Sequence, residues 1–248
     1  MIGQSPVACG HGTVARAFSL CHACERNQRA ALVSLCESDS NADPARWDAA
    51  SPRDAVAWFA NVSVPWWVAG GWAIDLFLDR QTRLHRDLDI GVFRRDIDAV
   101  LASIPGYEVF EAKDGKLSYL CRRTPRSEVN SLWCRAPGAQ TWQFEIMLDE
   151  FRGRSWVYRR DPSIRRDPAS MIRTHDTGIP YLAPEVQLLY KARAMRARDM
   201  QDFDAVVPEL SPAARRWLWQ CLLQTLPSHP WIGRLDCSGE AHPGVIHG

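Results

Sequence analysis

The sequence predicts an α+β fold, a β-sheet flanked by helices and followed by a C-terminal helical part. Residues 66–92, WWVAGGWAIDLFLDRQTRLHRDLDIGV, read as a short strand, a glycine turn, a turn or two of helix, a polar loop and a second strand. Several segments between Tyr107 and Leu148 are rich in strand-forming residues and separated by turn signals. From Pro184 the apolar spacing becomes the three-and-four step of a helix.

At 248 residues the chain is long enough to bury a sizeable core, as one large or two small domains. Its 30 Lys and Arg nearly balance 29 Asp and Glu, for a net charge of +1. That balance argues against a chain that coats nucleic acid or a membrane surface. No apolar run is long enough to span a bilayer, and the N-terminus lacks a basic segment followed by an apolar one. A soluble cytoplasmic protein is expected, its 8 Cys reduced rather than paired. The basic residues are almost all arginine; Lys113, Lys116 and Lys191 are the lysines.

Residues 1–45 read as an extension with little apolar periodicity. The sharper alternative there is a zinc site, because Cys21-x-x-Cys24 has the spacing of a ligand pair. Ser51-Pro52-Arg53-Asp54 marks a helix start, with Ser51 able to cap and Pro52 suited to the first turn. The helix runs through Ala60 with Val56 and Phe59 for burial. After Pro65, a strand from Trp66 to Ala69 leads to Gly70-Gly71 and a helix from Trp72 to Leu78, with Trp66, Trp67 and Trp72 as core or wall residues. Asp96 to Ile104 is a helix presenting Ile97, Val100, Leu101 and Ile104. Tyr107 to Ala112 and Lys116 to Arg122 form a hairpin around Asp114-Gly115. Strands Val129 to Arg135 and Thr141 to Leu148 follow. Trp156 to Arg160 is a further strand candidate, and Asp161 to Pro180 a connecting loop with a helical piece near Ala169. Val186, Leu188, Leu189 and Tyr190 give the next helix its apolar face. Ser211-Pro212 starts the last helix, packed through Trp217, Leu218, Cys221 and Leu222. The divisions are 1–45, a sheet domain over 46–165, a helical part over 166–232 and a loose tail over 233–248.

The chemistry gathers around Asp87 and Asp89. Residues two apart on a strand share a face, so the carboxylates stand together while Leu88 and Ile90 enter the core. Like charges at that range repel, and a fold keeps such a pair with a cation between them. Hard oxygen ligands of this kind suit Mg²⁺. Gly70 and Gly71 bring backbone N–H groups within reach of a phosphate. The polar loop 79–86 suits a triphosphate, with Arg83 the favoured contact and His85 structural. Glu145 alternates with Phe144 and Ile146 in an apolar strand, where an acid is solvated, paired or functional.

His85-Arg86-Asp87-Leu88, Ala183-Pro184-Glu185 and Asp202-Phe203 imitate fragments of a protein-kinase signature. The set fails: Val92 stands where a metal-binding Asn is needed, Asp204 follows the Asp-Phe pair, and no G-x-G-x-x-G loop precedes.

GGWAIDLFL followed by QTRLHRDLDIGV, with YLAPEVQLLYKAR and DMQDFDAVVPEL downstream, resembles the aminoglycoside and lincosamide adenylyltransferases of the polymerase-beta-like nucleotidyltransferase superfamily. The resemblance runs from about Trp47 to Trp231. It implies a nucleotidyltransferase-type mixed sheet flanked by helices. It also implies Mg²⁺-dependent transfer of a nucleoside monophosphate, AMP from ATP or another NTP, to a hydroxyl of a small molecule such as an aminoglycoside or lincosamide, releasing pyrophosphate. On it, Glu145 completes a triad with Asp87 and Asp89 as metal ligand or base, and Lys191 reaches the phosphates. Asp199 and Asp202 orient that helix or contact the acceptor, with helix capping the alternative for Asp199. Trp72 follows Gly71 where many relatives have Ser, so that hydroxyl contact is lost. An aminoglycoside is a polycation and needs an acidic cleft, for which Glu108, Glu111, Asp149, Glu150 and Asp202 are candidates. The alternatives are a non-catalytic nucleotide-binding protein, or a protein or tRNA acceptor, the last disfavoured by near-neutral charge.

Overall fold

The computed structural model describes residues 46–121 and 124–235. Helix α1 (Pro52–Trp58) starts where the sequence marks it. The Asp54 carboxylate accepts the Ser51 backbone N–H at 2.8 Å and its hydroxyl at 2.7 Å, an exchange that fixes the first turn. Ala55 and Phe59 are its buried pair, while Val56, expected inside, is 37% exposed. Positions four apart share a helix face, and Val56 lies one step round from the face that Phe59 anchors.

β1 (Trp66–Val68) leads into α2 (Gly70–Leu78), which begins on the glycines rather than at Trp72. β2 (Asp89–Phe93) returns antiparallel to β1. In α3 (Ile97–Ser103) and its end, Ile97, Val100 and Ile104 are buried. β3 (Glu108–Lys113) and β4 (Lys116–Tyr119) form the expected hairpin. Asp114 and Gly115 both have positive φ, 52° and 75°, the backbone of a type I′ turn. β5 (Ser131–Arg135) and β6 (Phe144–Arg152) follow, β6 continuing past its expected end at Leu148.

β7 (Ser155–Val157), β8 (Arg165–Arg166), α4 (Pro168–Met171), β9 (Ile172–Thr174) and β10 (Pro180–Leu182) come next. The stretch read as a connecting loop therefore holds the expected helical piece but also two strands, of two and three residues. Strands that short carry no readable period. The sheet order is β4-β3-β5-β6-β2-β1-β10-β9, with β7 and β8 continuing from β6. β2 pairs with β6, and β1 with β10, in parallel; the other pairs are antiparallel. The sheet is mixed, and β9 and β10 carry it beyond residue 165.

The helical part comprises α5 (Pro184–Ala192), α6 (Ala197–Val206), α7 (Pro212–Thr225) and the short α8 (Trp231–Arg234). α5 packs against α2, α6 and α7, so its polar residues are buried along with its apolar ones and each has a partner. Glu185, fully buried, meets Arg166 at 2.7 Å and Arg173 at 3.2 Å. Among the described residues no helix is long and apolar enough to cross a membrane. Among the described residues Cys134 and Cys221 are free and buried. The Cys21-x-x-Cys24 pair with the whole of 1–45, the strand end at Arg122, and the tail from residue 236 lie outside the described residues.

Candidate active site

β2 and β6 lie side by side in parallel with Asp89 opposite Glu145. Side chains in register on neighbouring parallel strands share a face of the sheet, so these two carboxylates stand together. Asp87 is not in the strand, which begins at Asp89. The chain before it is nonetheless tied to β6, because the Leu88 carbonyl accepts the Glu145 N–H at 2.8 Å. Leu88 and Ile90 are fully buried, and Asp87 and Asp89 both line one pocket of about 270 Å³.

Burial pushes the Asp89 carboxyl well above the usual carboxylate range, and the negative charges of Glu145 and Asp87 push it further; Lys191 and Arg198 oppose them. Glu145 is raised for the same first reason, against a hydrogen bond from Ser131, with Asp87 adding repulsion. Both groups are short of positive charge as the chain stands.

The same pocket is lined by Gly70, Gly71, Arg83, Gln187, Lys191 and four further arginines, Arg159, Arg160, Arg196 and Arg198. Glu145 does not line it. It borders an adjoining cleft of about 310 Å³ with the β3–β4 hairpin, Ser131 and Trp133. Among the described residues, no three His, Cys, Asp or Glu side chains already converge as a metal-ligand group. A larger hollow, about 410 Å³, is lined by Trp72, Asp75, His175 and Ile179 among others and touches none of these carboxylates.

The glycines serve side chains as much as ligands. Gly70 has φ 66° and a Cβ there would overlap the Asp89 carboxylate; one on Gly71 would overlap Arg83 and His85. The Gly70 N–H, expected to face a phosphate, donates instead to Gln187 Oε1 at 2.8 Å. A buried N–H needs a partner, and α5 supplies one.

Arg83 and Lys191 converge through a residue that sequence reasoning left open. Asp202, 1% exposed, accepts from Arg83 Nε at 3.1 Å and Nη2 at 3.2 Å, and pairs with Lys191 Nζ at 2.7 Å. Asp199 lies 3.6 Å from Lys191 and accepts the Arg196 backbone N–H at 3.0 Å, so it caps α6 and joins the network together. Asp75 was missed. It receives the Thr82 N–H at 3.0 Å and hydroxyl at 2.6 Å, and makes a short contact with His85, whose ring lies 4.4 Å from that of Trp72. These contacts fasten the polar loop to α2 directly ahead of Asp87. The signal was present, since Asp75 sits mid-helix among apolar neighbours with two polar partners seven and ten residues on.

A family model described as aminoglycoside-2''-adenylyltransferase matches residues 53–206. A 2''-aminoglycoside nucleotidyltransferase of Escherichia coli is 37% identical over 59 residues, covering 23% of this chain and 33% of that protein. A protein of the same description from Klebsiella pneumoniae gives the same figures. The chain thus spans a third of the length of these curated relatives. Among solved structures, ANT(2'')-Ia in complex with adenylyl-2''-tobramycin aligns at 14% identity and TM-score 0.47, covering 69% of this chain and 95% of that one. The lincosamide antibiotic adenylyltransferase LnuA, lincomycin-bound, aligns at 18% identity and TM-score 0.45, covering 62% and 92%.

Proposed function

The chain belongs to the aminoglycoside-2''-adenylyltransferase family, and we propose that it moves AMP from ATP to a hydroxyl of a small antibiotic of aminoglycoside or lincosamide type, releasing pyrophosphate. The observation that carries this reading is one pocket in which Asp87 and Asp89 face Arg83 and Lys191, with Glu145 in register beside Asp89.

Phosphoryl chemistry is mostly alignment and charge neutralisation. Asp87 and Asp89 form an oxygen donor set, which fits Mg²⁺, an ion that commonly takes one or two carboxylates and completes its shell with phosphate and water. Mg²⁺ bound there would neutralise phosphate oxygens and polarise the reacting phosphorus. Arg83 and Lys191 share Asp202 yet keep donors free for the triphosphate, and Arg159, Arg160, Arg196 and Arg198 add to the positive lining. Glu145, pushed up to about 7 by burial, is in its ionised form a stronger base than an ordinary carboxylate and is suited to take the proton of the acceptor hydroxyl. The acceptor oxygen bonds to the α-phosphorus, the bond to the bridging oxygen breaks, and pyrophosphate leaves with that electron pair. In this reading the sheet, which extends through β10, and the helical part that follows it meet around the nucleotide, and ATP dependence suits a cytoplasmic setting.

The test is incubation with α-labelled ATP and Mg²⁺ alongside tobramycin, lincomycin, protein and tRNA. Label on an antibiotic with equal pyrophosphate release is expected. Label on protein or RNA alone, or nucleotide bound without turnover, would overturn the proposal.

A further inference from the structure

Asp149 is a buried acid on the same strand as Glu145, and the transfer chemistry above gives it no part. Alternate residues of a strand share a face, so Glu145, Met147 and Asp149 form one row along β6, with Asp89 opposite the first of them on β2. Met147 lines the pocket at Asp87 and Asp89. Tyr190, on α5 directly before Lys191, lines that pocket too and donates its hydroxyl to Asp149 at 2.5 Å. With only 6% of Asp149 exposed, this bond ties the ring to the sheet.

The ring in turn carries Arg159, whose guanidinium carbon lies 5.5 Å from the Tyr190 centroid, within range of a cation–π attraction. Burial raises both Glu145 and Asp149, and the charge of Arg159 opposes it at each. That charge is therefore felt along the whole row. The other cations of the pocket are differently placed. Arg83 and Lys191 share Asp202, Arg196 is held by Asp199 at 2.8 Å, and Arg160 donates to the Tyr190 carbonyl at 3.0 Å. The guanidinium groups of Arg159 and Arg198 have no hydrogen bond or ion pair among the described residues. Arg198 acts with Lys191 on Asp89, whereas Arg159 acts on Glu145.

Resting on the transfer reading above, we propose that Arg159 meets the α-phosphate on the side from which the acceptor attacks, and that Tyr190, moored to Asp149, is the residue that positions it. A guanidinium there stabilises the charge gathering on the α-phosphate oxygens as the acceptor bond forms. Having no carboxylate partner of its own, it depends on the ring for its place.

The first test is a double-mutant cycle on kcat for AMP transfer by the full chain. Arg159→Ala should lower kcat about 10²-fold, and Tyr190→Leu about tenfold. Tyr190→Phe, which keeps the ring and drops the bond to Asp149, should lose less. In the Arg159→Ala background either change at Tyr190 should cost no more than about twofold, because Tyr190 acts through the arginine. Calorimetry with Mg²⁺ then locates the contact: Arg159→Ala should weaken AMP about tenfold and inorganic pyrophosphate by less than about threefold. Equal cost of the Tyr190 changes in both backgrounds, or pyrophosphate weakened as much as AMP, overturns the inference and leaves the transfer reading standing. Absence of transfer by the wild type overturns both.

Discussion

Asp89 and Glu145 on one hand, and Asp75 and Asp199 on the other, are all drawn away from water, yet they are driven in opposite directions. Burial raises all four. At Asp75 the hydrogen bonds of His85 and Thr82 outweigh it, and at Asp199 those of Arg196, with Lys191 adding to them; both end below the usual range. At Asp89 and Glu145 the repulsion of neighbouring carboxylates adds to burial, the opposing Lys191 and Arg198 at the one and Ser131 and Arg159 at the other do not offset it, and both end above it. An acid kept for structure arrives with its donors in the sequence around it. One that the fold sets beside its own kind lacks donors enough to hold it charged.

The comparison breaks most visibly at Asp87 and Asp89. Replacing both by Asn should cut AMP transfer by at least about 10³-fold, while stability without metal stays equal or rises because a repulsion is gone. Parallel kinetics and denaturant unfolding check the two halves, and loss of both together would make these structural acids. Asp202→Ala removes the shared partner of a buried lysine and should cost about 3 kcal/mol, read from the unfolding midpoint. Glu145→Gln should lower kcat by about 10²-fold with the affinity for Mg²⁺ and nucleotide kept; an equal loss of affinity would make Glu145 a metal ligand instead.

The smallest effect is the slope of stability with pH. In the folded state Asp89 and Glu145 hold protons that the unfolded chain has released, so metal-free stability should fall as pH rises from the ordinary carboxylate range, about 4, through their raised values. Asp75 has the opposite sign. Its contribution is present above about 4 and is lost as pH falls through its lowered value. Asp75→Asn should therefore cost about 2 kcal/mol at neutral pH and progressively less in acid, measured by urea unfolding across pH. Slopes of the same sign for Asp89→Asn and Asp75→Asn would dissolve the distinction.

Much of this was legible in the residues. The alternation that separates Asp87 and Asp89 from Leu88 and Ile90, and Glu145 from Phe144 and Ile146, is local and periodic, and burial follows it. The helix starts at Pro52 and Pro212 are local too. What escaped is non-local. Gln187 takes the Gly70 N–H from 117 positions away, and Asp202 takes Arg83 from 119. No window of sequence contains both ends of such a bond. The short strands β8 and β9 escaped because their order comes from the strands they pair with. Val56 escaped because one hydrophobic residue does not fix which way a short helix turns.

The most direct measurement is thermal unfolding of the wild type and of the Asp87→Asn, Asp89→Asn double variant, each with and without Mg²⁺ and a non-transferable ATP analogue. Binding to the folded state alone raises Tm, so the wild type should gain several degrees, about 2–4 °C for each kcal/mol of linkage in a chain of this size, and the double variant almost nothing. An equal gain in both, or none in the wild type, would contradict the claim that these carboxylates hold the ion on which transfer depends.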